Sequence, residues 1–177
     1  MPSLSDLLLP RTCPCGAPAG PVCAPCAASL SAGASVVRPY PAPPGLPICA
    51  AGAPYAGAVR RLLIAYKERG RRDLTGALAL ALARAILALP CLALPCADGT
   101  EVNAPARLPF RGLVLVTVPA SRAALRVRGM DHVAALVRRA VGALNAGWGV
   151  EALWKPLLGP ARLVADQAGL TCERPRH

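Results

Sequence analysis

Hydrophobic and polar positions along this chain change period several times, and the changes mark out its elements. Within residues 55–70, Val59, Leu62, Leu63 and Tyr66 recur at i, i+3, i+4 and i+7, the spacing of one helix face. Arg60, Arg61, Lys67 and Arg69 lie mostly off that face, and Gly70 suits a helix stop because glycine accepts the left-handed conformation. A second helix is predicted from Asp73, a good N-cap residue, to about Leu89. The run LVLVTV at residues 113–118 is rich in β-branched residues and bounded by Gly112 and Pro119, which reads as a buried strand of a parallel sheet. The segment ASRAALRVRGMDH after it reads as a loop. A third helix is predicted from Asp131, as its cap, to about Asn145, ended by Gly147, with residues 150–154 as the next strand. Helix–strand–helix–strand order argues for an α/β layer architecture.

The remaining stretches are less regular. Residues 1–12 form a short apolar lead-in, and a short helix starts near Ala27. Prolines and glycines crowd residues 33–54, which read as a linker or an irregular edge segment. Residues 90–111 read as a loop, and the tail from Gly159 is polar and is assigned no element. Residues 74–97 are apolar and long enough to span a bilayer. Arg84 stands in their middle, however, and Pro90 and Pro95 break the second half. A charge at mid-membrane is costly, so a core helix is the expectation, with no membrane span. The first residues lack the basic region and long apolar core of a signal peptide, which makes the cytoplasm the expected location.

Composition changes the picture in two ways. Hydrophobic residues reach 54%, but aromatics are only 3%, so the core must be built from Leu, Val and Ala. Lys+Arg number 20 against 9 Asp+Glu, a net charge of +11, and only Lys67 and Lys155 are lysines. Arginine forks match phosphate oxygens, and a basic excess favours polyanionic partners. A GC-rich genome, which replaces Lys by Arg throughout, explains the excess equally well.

Eight cysteines stand at positions 13, 15, 23, 26, 49, 91, 96 and 172. Without a secretion signal a disulfide framework is disfavoured. Cys13, Cys15, Cys23 and Cys26 fall within fourteen residues, enough to close a tetrahedral zinc site. The Cys23–Cys26 pair has the usual two-residue spacing, whereas Cys13–Cys15 is one residue tighter. So small a loop has little core, and metal would supply its folding energy. No histidine or carboxylate stands nearby to make an open catalytic site. A redox pair at Cys23 and Cys26 is a second reading, disfavoured because no thioredoxin-like strand precedes it. Reduced, unliganded thiols are the third.

Two basic segments carry further chemistry, YKERGRRD at residues 66–73 and VPASR at 118–122 followed by RVRGMDH at 126–132. Ser121 and Arg122 follow the carboxyl end of the predicted strand, where ligands of parallel sheets gather. Arginine forks and backbone N–H groups there suit phosphate or pyrophosphate, and a solvated arginine-rich loop is the plainer alternative. His132 has no nucleophile or carboxylate partner that would make it catalytic, so no catalytic residue is assigned.

In order, a four-cysteine knuckle preceded by DLLLP, then YKERG, VPASR, RGMDHV, and DQAGL with Glu173 and Arg174 resemble the ComF-like (GntX-like) competence family. The resemblance implies a type I phosphoribosyltransferase-like parallel sheet with an N-terminal zinc knuckle. The organisation would be a knuckle over residues 1–32, a linker over 33–54 and a phosphoribosyltransferase-like domain over 55–177. It also implies a role in natural transformation, where single-stranded DNA is handled beside a competence helicase. Ser121, Arg122, Arg128 and Gly129 would contact phosphate or pyrophosphate. Arg60, Arg61, Lys67, Arg69, Arg71 and Arg72 would form the nucleic-acid-binding surface, and Cys13, Cys15, Cys23 and Cys26 would hold a structural zinc ion. With few aromatics, DNA binding would rest on backbone electrostatics.

Family members carry a paired-acid, Thr-Thr-Gly type loop after the Glu-Arg element, and this sequence contains no Asp-Asp pair. The chain therefore reads as a C-terminally shortened member whose sheet is incomplete. A DNA-uptake accessory, an active phosphoribosyltransferase of unknown acceptor and a non-functional remnant are the competing expectations. With no acid pair to orient the ribose hydroxyls, the chain should bind phosphoribosyl pyrophosphate little better than pyrophosphate in calorimetry. Much tighter binding of the former, or release of pyrophosphate from it, would contradict this.

Overall fold

The computed structural model describes residues 12–18, 20–90 and 112–159. The lead-in, most of the 90–111 loop, and the DQAGL segment with Glu173 and Arg174 lie outside them. The elements are α1 (Ala24–Ser31), β1 (Ser35–Val37), β2 (Cys49–Ala51), α2 (Gly57–Glu68), a 3-10 turn (Arg72–Leu74), α3 (Thr75–Leu87), β3 (Leu113–Leu115), α4 (Arg122–Arg128), α5 (His132–Gly147) and β4 (Ala152–Trp154). Helices and strands are mixed, and β3 pairs with β4 in parallel, Leu113 opposite Ala152.

Helix α3 organises the core because it is apolar on nearly every side. Leu78, Ala79, Ala81, Ala83, Ala85 and Ile86 are all buried. One cluster packs Leu78 and Ala81 against α1, α2 and the cysteine segment. A second packs Ala79, Ala83 and Ile86 against Ala140 and Leu144 of α5 and Ala152 of β4. The alanines matter here, since a methyl side chain lets helix axes approach closely. At 13 residues α3 is about 20 Å long, short of the roughly 30 Å of a bilayer core. Among the described residues no helix is long and apolar enough to cross a membrane.

Helix α2 buries Val59, Leu62, Ala65 and Tyr66, the face read from the sequence. Gly70, at φ +63°, turns the chain after it. Tyr66 then reaches across to α5, its hydroxyl donating to the His132 carbonyl at 3.0 Å with the two rings edge to face. Asp131 caps α5 as expected, accepting from the N–H groups of Val133 and Ala134. Asn145 fastens β4 to the same helix by pairing both ways with the backbone of Ala152.

Four local expectations are corrected. Residues 33–54 are not a plain linker: β1 and β2 pair antiparallel, Val37 opposite Cys49. Five of their six prolines fall in the connecting loop, where no ladder hydrogen bond is lost. Asp73 is not the cap of α3, because its carboxylate is taken by Arg71. The predicted strand at 113–118 pairs only over Leu113–Leu115, beyond which Val116 and Val118 are exposed. Residues 122–128 are helical rather than loop, with Ser121 accepting from Ala124 N–H at one end and Gly129 in the left-handed conformation at the other. That helix buries no residue, so it left no apolar period to read.

Gly52 follows β2 where it crosses α3, and a Cβ placed there would lie 2.7 Å from the Ala81 carbonyl oxygen. Backbone cannot swing aside as a side chain can. Gly52→Ala should therefore cost about 1–3 kcal/mol in urea unfolding. Gly142, in α5 with open space where its Cβ would be, should show the opposite sign, Gly142→Ala gaining about 0.5–1 kcal/mol.

Candidate metal centre and basic face

The four clustered cysteines are presented by a tight turn and a helix start. Gly16 N–H donates to the Cys13 carbonyl at 2.8 Å, and Cys13 N–H to the Ala17 carbonyl at 2.9 Å. Gly16 sits at φ +97°, a conformation that favours glycine. The turn folds Cys15 back beside Cys13. Cys23 stands immediately before α1 and Cys26 lies in its first turn, with proline at a position where a missing N–H is harmless. Two short arms thus deliver two sulfurs each.

The four Sγ atoms all lie within 4.8 Å of one another. A tetrahedral four-thiolate centre with metal–sulfur bonds of about 2.3 Å has edges of about 3.8 Å, so the donor set fits such an ion. Cys15 and Cys23 are 3.5 Å apart, and the cysteines are free thiols rather than bonded pairs. Cys13, Cys23 and Cys26 are buried in the same cluster as Leu30, Val59, Leu62, Tyr66 and Leu74, while Cys15 is exposed. Cys49 sits apart on the hairpin, donating to the Pro47 carbonyl.

The thiols differ in acidity. Burial pushes Cys13 up, but the backbone N–H groups of Cys15 and Cys23, together with their thiols, bring it down to about 6. At Cys23 the Cys26 backbone N–H pulls down, yet burial and the neighbouring Cys15 and Cys13 thiols leave it raised. Burial drives Cys26 up, reinforced by the surrounding thiols and by the charge on Cys13. Thiolate ligation releases protons, and the raised Cys23 and Cys26 thiols make metal uptake dependent on pH.

The basic residues divide differently from the sequence reading. Arg60, Arg61, Lys67, Arg69 and Arg72 are exposed. Arg71 is withdrawn from solvent, forming a bidentate pair with Asp73 and donating to the Thr12 carbonyl. Arg122 is exposed at the start of α4, while the Ser121 hydroxyl is engaged as its cap. Arg128 comes within 3.6 Å of Glu68, and Arg72 lies beside Gly129, its Nη2 3.7 Å from where a Cβ at that glycine would stand. The end of YKERGRRD and the RVRGMD turn, called a DNA surface and a phosphate site, thus meet as one face. Glu68, which bridges Lys67 and Arg128, had no signal in sequence beyond its charge. Arg71 and Asp73 are only two positions apart, a spacing that allows a pair but does not reveal it.

Fold and site together define a small, arginine-rich protein of mixed helices and strands, with a four-cysteine cluster able to hold a metal ion. Comparison with protein-family models, with curated proteins and with solved structures finds no match.

Cobalt titration should produce the visible spectrum of a tetrahedral thiolate complex at close to one ion per chain, and Cys23→Ser with Cys26→Ser should abolish it. Because the ligands must be deprotonated, apparent affinity should fall steeply as pH drops from neutral toward about 6, where Cys13 too is about half protonated. Affinity that stays constant over that range would contradict the four-thiolate assignment.

Proposed function

We propose that this chain is a ComF-like accessory of DNA uptake, a zinc-stabilised protein whose basic face binds single-stranded DNA or phosphate-bearing ligands. The observation that carries the reading is the meeting of Arg72 with the Arg128–Gly129 turn, from segments more than fifty residues apart. Arg122 stands at the start of the helix that ends in this turn, and Arg60, Arg61, Lys67 and Arg69 continue the basic surface along α2. Four thiolates leave no open coordination position, which suits a structural zinc ion rather than a catalytic one. The phosphoribosyltransferase-like fold belongs to the same proposal. It is supported by the parallel β3–β4 pair and by the position of VPASR after β3. The proposal concerns binding and assigns no turnover.

Such a face would act by neutralising backbone phosphates. Each arginine or lysine that meets a phosphate releases condensed counterions, so affinity depends on salt and little on base sequence. The partner would be a single-stranded segment handed on by a helicase.

The test is binding of an unstructured oligothymidine by the zinc-loaded chain across a salt series. Affinity should fall linearly on a log–log plot, and Arg72→Ala and Arg128→Ala should each weaken binding and reduce the slope by roughly one contact's worth, about 0.7 for single strands. Binding absent at low salt, or a slope unmoved by both substitutions, would rule the reading out.

A further inference from the structure

Arg71 lies between α2 and the 3-10 turn, and three of its guanidinium nitrogens are engaged at once. Nε donates to Asp73 Oδ1 at 2.9 Å and Oδ2 at 3.1 Å, and Nη2 donates to Oδ2 at 2.6 Å. Nη1 crosses to the cysteine segment and donates to the Thr12 carbonyl at 3.1 Å. The side chains of Arg71 and Asp73 are only 12% and 15% exposed. An exposed ion pair of this kind contributes little, but a bidentate pair shielded from water holds its geometry. Thr12 immediately precedes Cys13, so the guanidinium grips the chain one residue before the first thiol of the cluster.

The contact is also electrostatic. Hydrogen bonding to Asp73 raises the Arg71 guanidinium further into its charged range against the cost of burial, and the Asp73 charge adds to this. Four thiolates around a divalent cation leave an excess of negative charge, and a fixed cation beside one arm offsets it. Arg71 bonds the backbone next to a ligand rather than the ligand itself, and groups that brace a site in this way orient its ligands and tune affinity. The sequence reading placed Arg71 among the DNA-binding residues, yet its donors face Asp73 and Thr12.

We propose that Arg71, aimed by Asp73, is a positioning residue of the metal centre that holds the Cys13 arm in ligating geometry. The proposal rests on the zinc reading above. It also makes the centre part of the body of the protein: the loop that supplies Cys13 and Cys15 is tied to the turn between α2 and α3.

Zinc affinity should be measured by chelator competition for the wild-type chain, Arg71→Ala and Arg60→Ala, the last removing the same charge from an exposed site. Arg71→Ala should lower affinity by about 10- to 100-fold while Arg60→Ala leaves it unchanged. Alkylation of the zinc-loaded proteins, followed by peptide mass spectrometry, supplies a readout that general loosening would not give. In Arg71→Ala, Cys13 should lose protection ahead of Cys26, because the first arm alone has lost its anchor. If Arg71→Ala fails to fold, Arg71→Lys keeps the charge and loses the fork, and should shift both readouts in the same direction. A wild-type chain that binds no zinc would remove the zinc reading itself. Wild-type binding with Arg71 variants indistinguishable from Arg60→Ala, or with Cys13 and Cys26 exposed equally, would overturn the positioning role.

Discussion

Three buried thiols stand in this core where larger proteins place aliphatic side chains, and much of the packing depends on how they are held together. Cys13, Cys23 and Cys26 share a cluster with Leu30 of α1, Val59, Leu62 and Tyr66 of α2, and Leu78 of α3. Apolar contact alone gives such a region little to work with. The chain has one phenylalanine, two tryptophans and three tyrosines, and α3 contributes mostly alanine. Sulfurs drawn around a cation would convert a loose loop into a fixed wall against which α1 and α2 can pack. The same small side chains that limit hydrophobic stabilisation allow close approach, as where Gly52 runs over the Ala81 carbonyl.

The second organising contact joins the ends of α2 and α5. Tyr66 is 2% exposed and its hydroxyl spends its hydrogen bond on the His132 carbonyl. That bond brings the YKERGRRD and RVRGMD segments side by side. Like charges gathered in one place repel, and the structure places Glu68 between Lys67 and Arg128 to moderate this. One carboxylate offsets only part of the charge there, so the face stays basic.

How much of this could be read from the sequence follows from which signals are periodic. Helix α2 was legible because its apolar residues repeat along one buried face, and α5 because Asp131 announces its start. The cysteine cluster was legible from spacing alone. Helix α4 was not, since it is short, exposed and rich in arginine; only its Ser and Gly boundaries mark it. The hairpin was hidden because proline-rich composition masked two three-residue strands. The division of labour among the arginines was the least legible feature. Arg71 and Arg72 are adjacent and chemically identical, and only the fold turns one inward to Asp73 and Thr12 and leaves the other beside Gly129.

The tie between Arg71 and Thr12 also has a consequence for synthesis. All four clustered cysteines leave the ribosome about 45 residues before Arg71 does. At roughly 5–20 residues per second that interval lasts about 2–9 seconds. During it the thiols lack their clasp, and α1 and then α2 are made before that clasp arrives. A metal captured then would be held by a loop without that clasp. If Arg71 holds the first arm as proposed, the choice of ion would stay open until the turn after α2 is made, and metal supply during those seconds would then bear on which ion the cluster takes up.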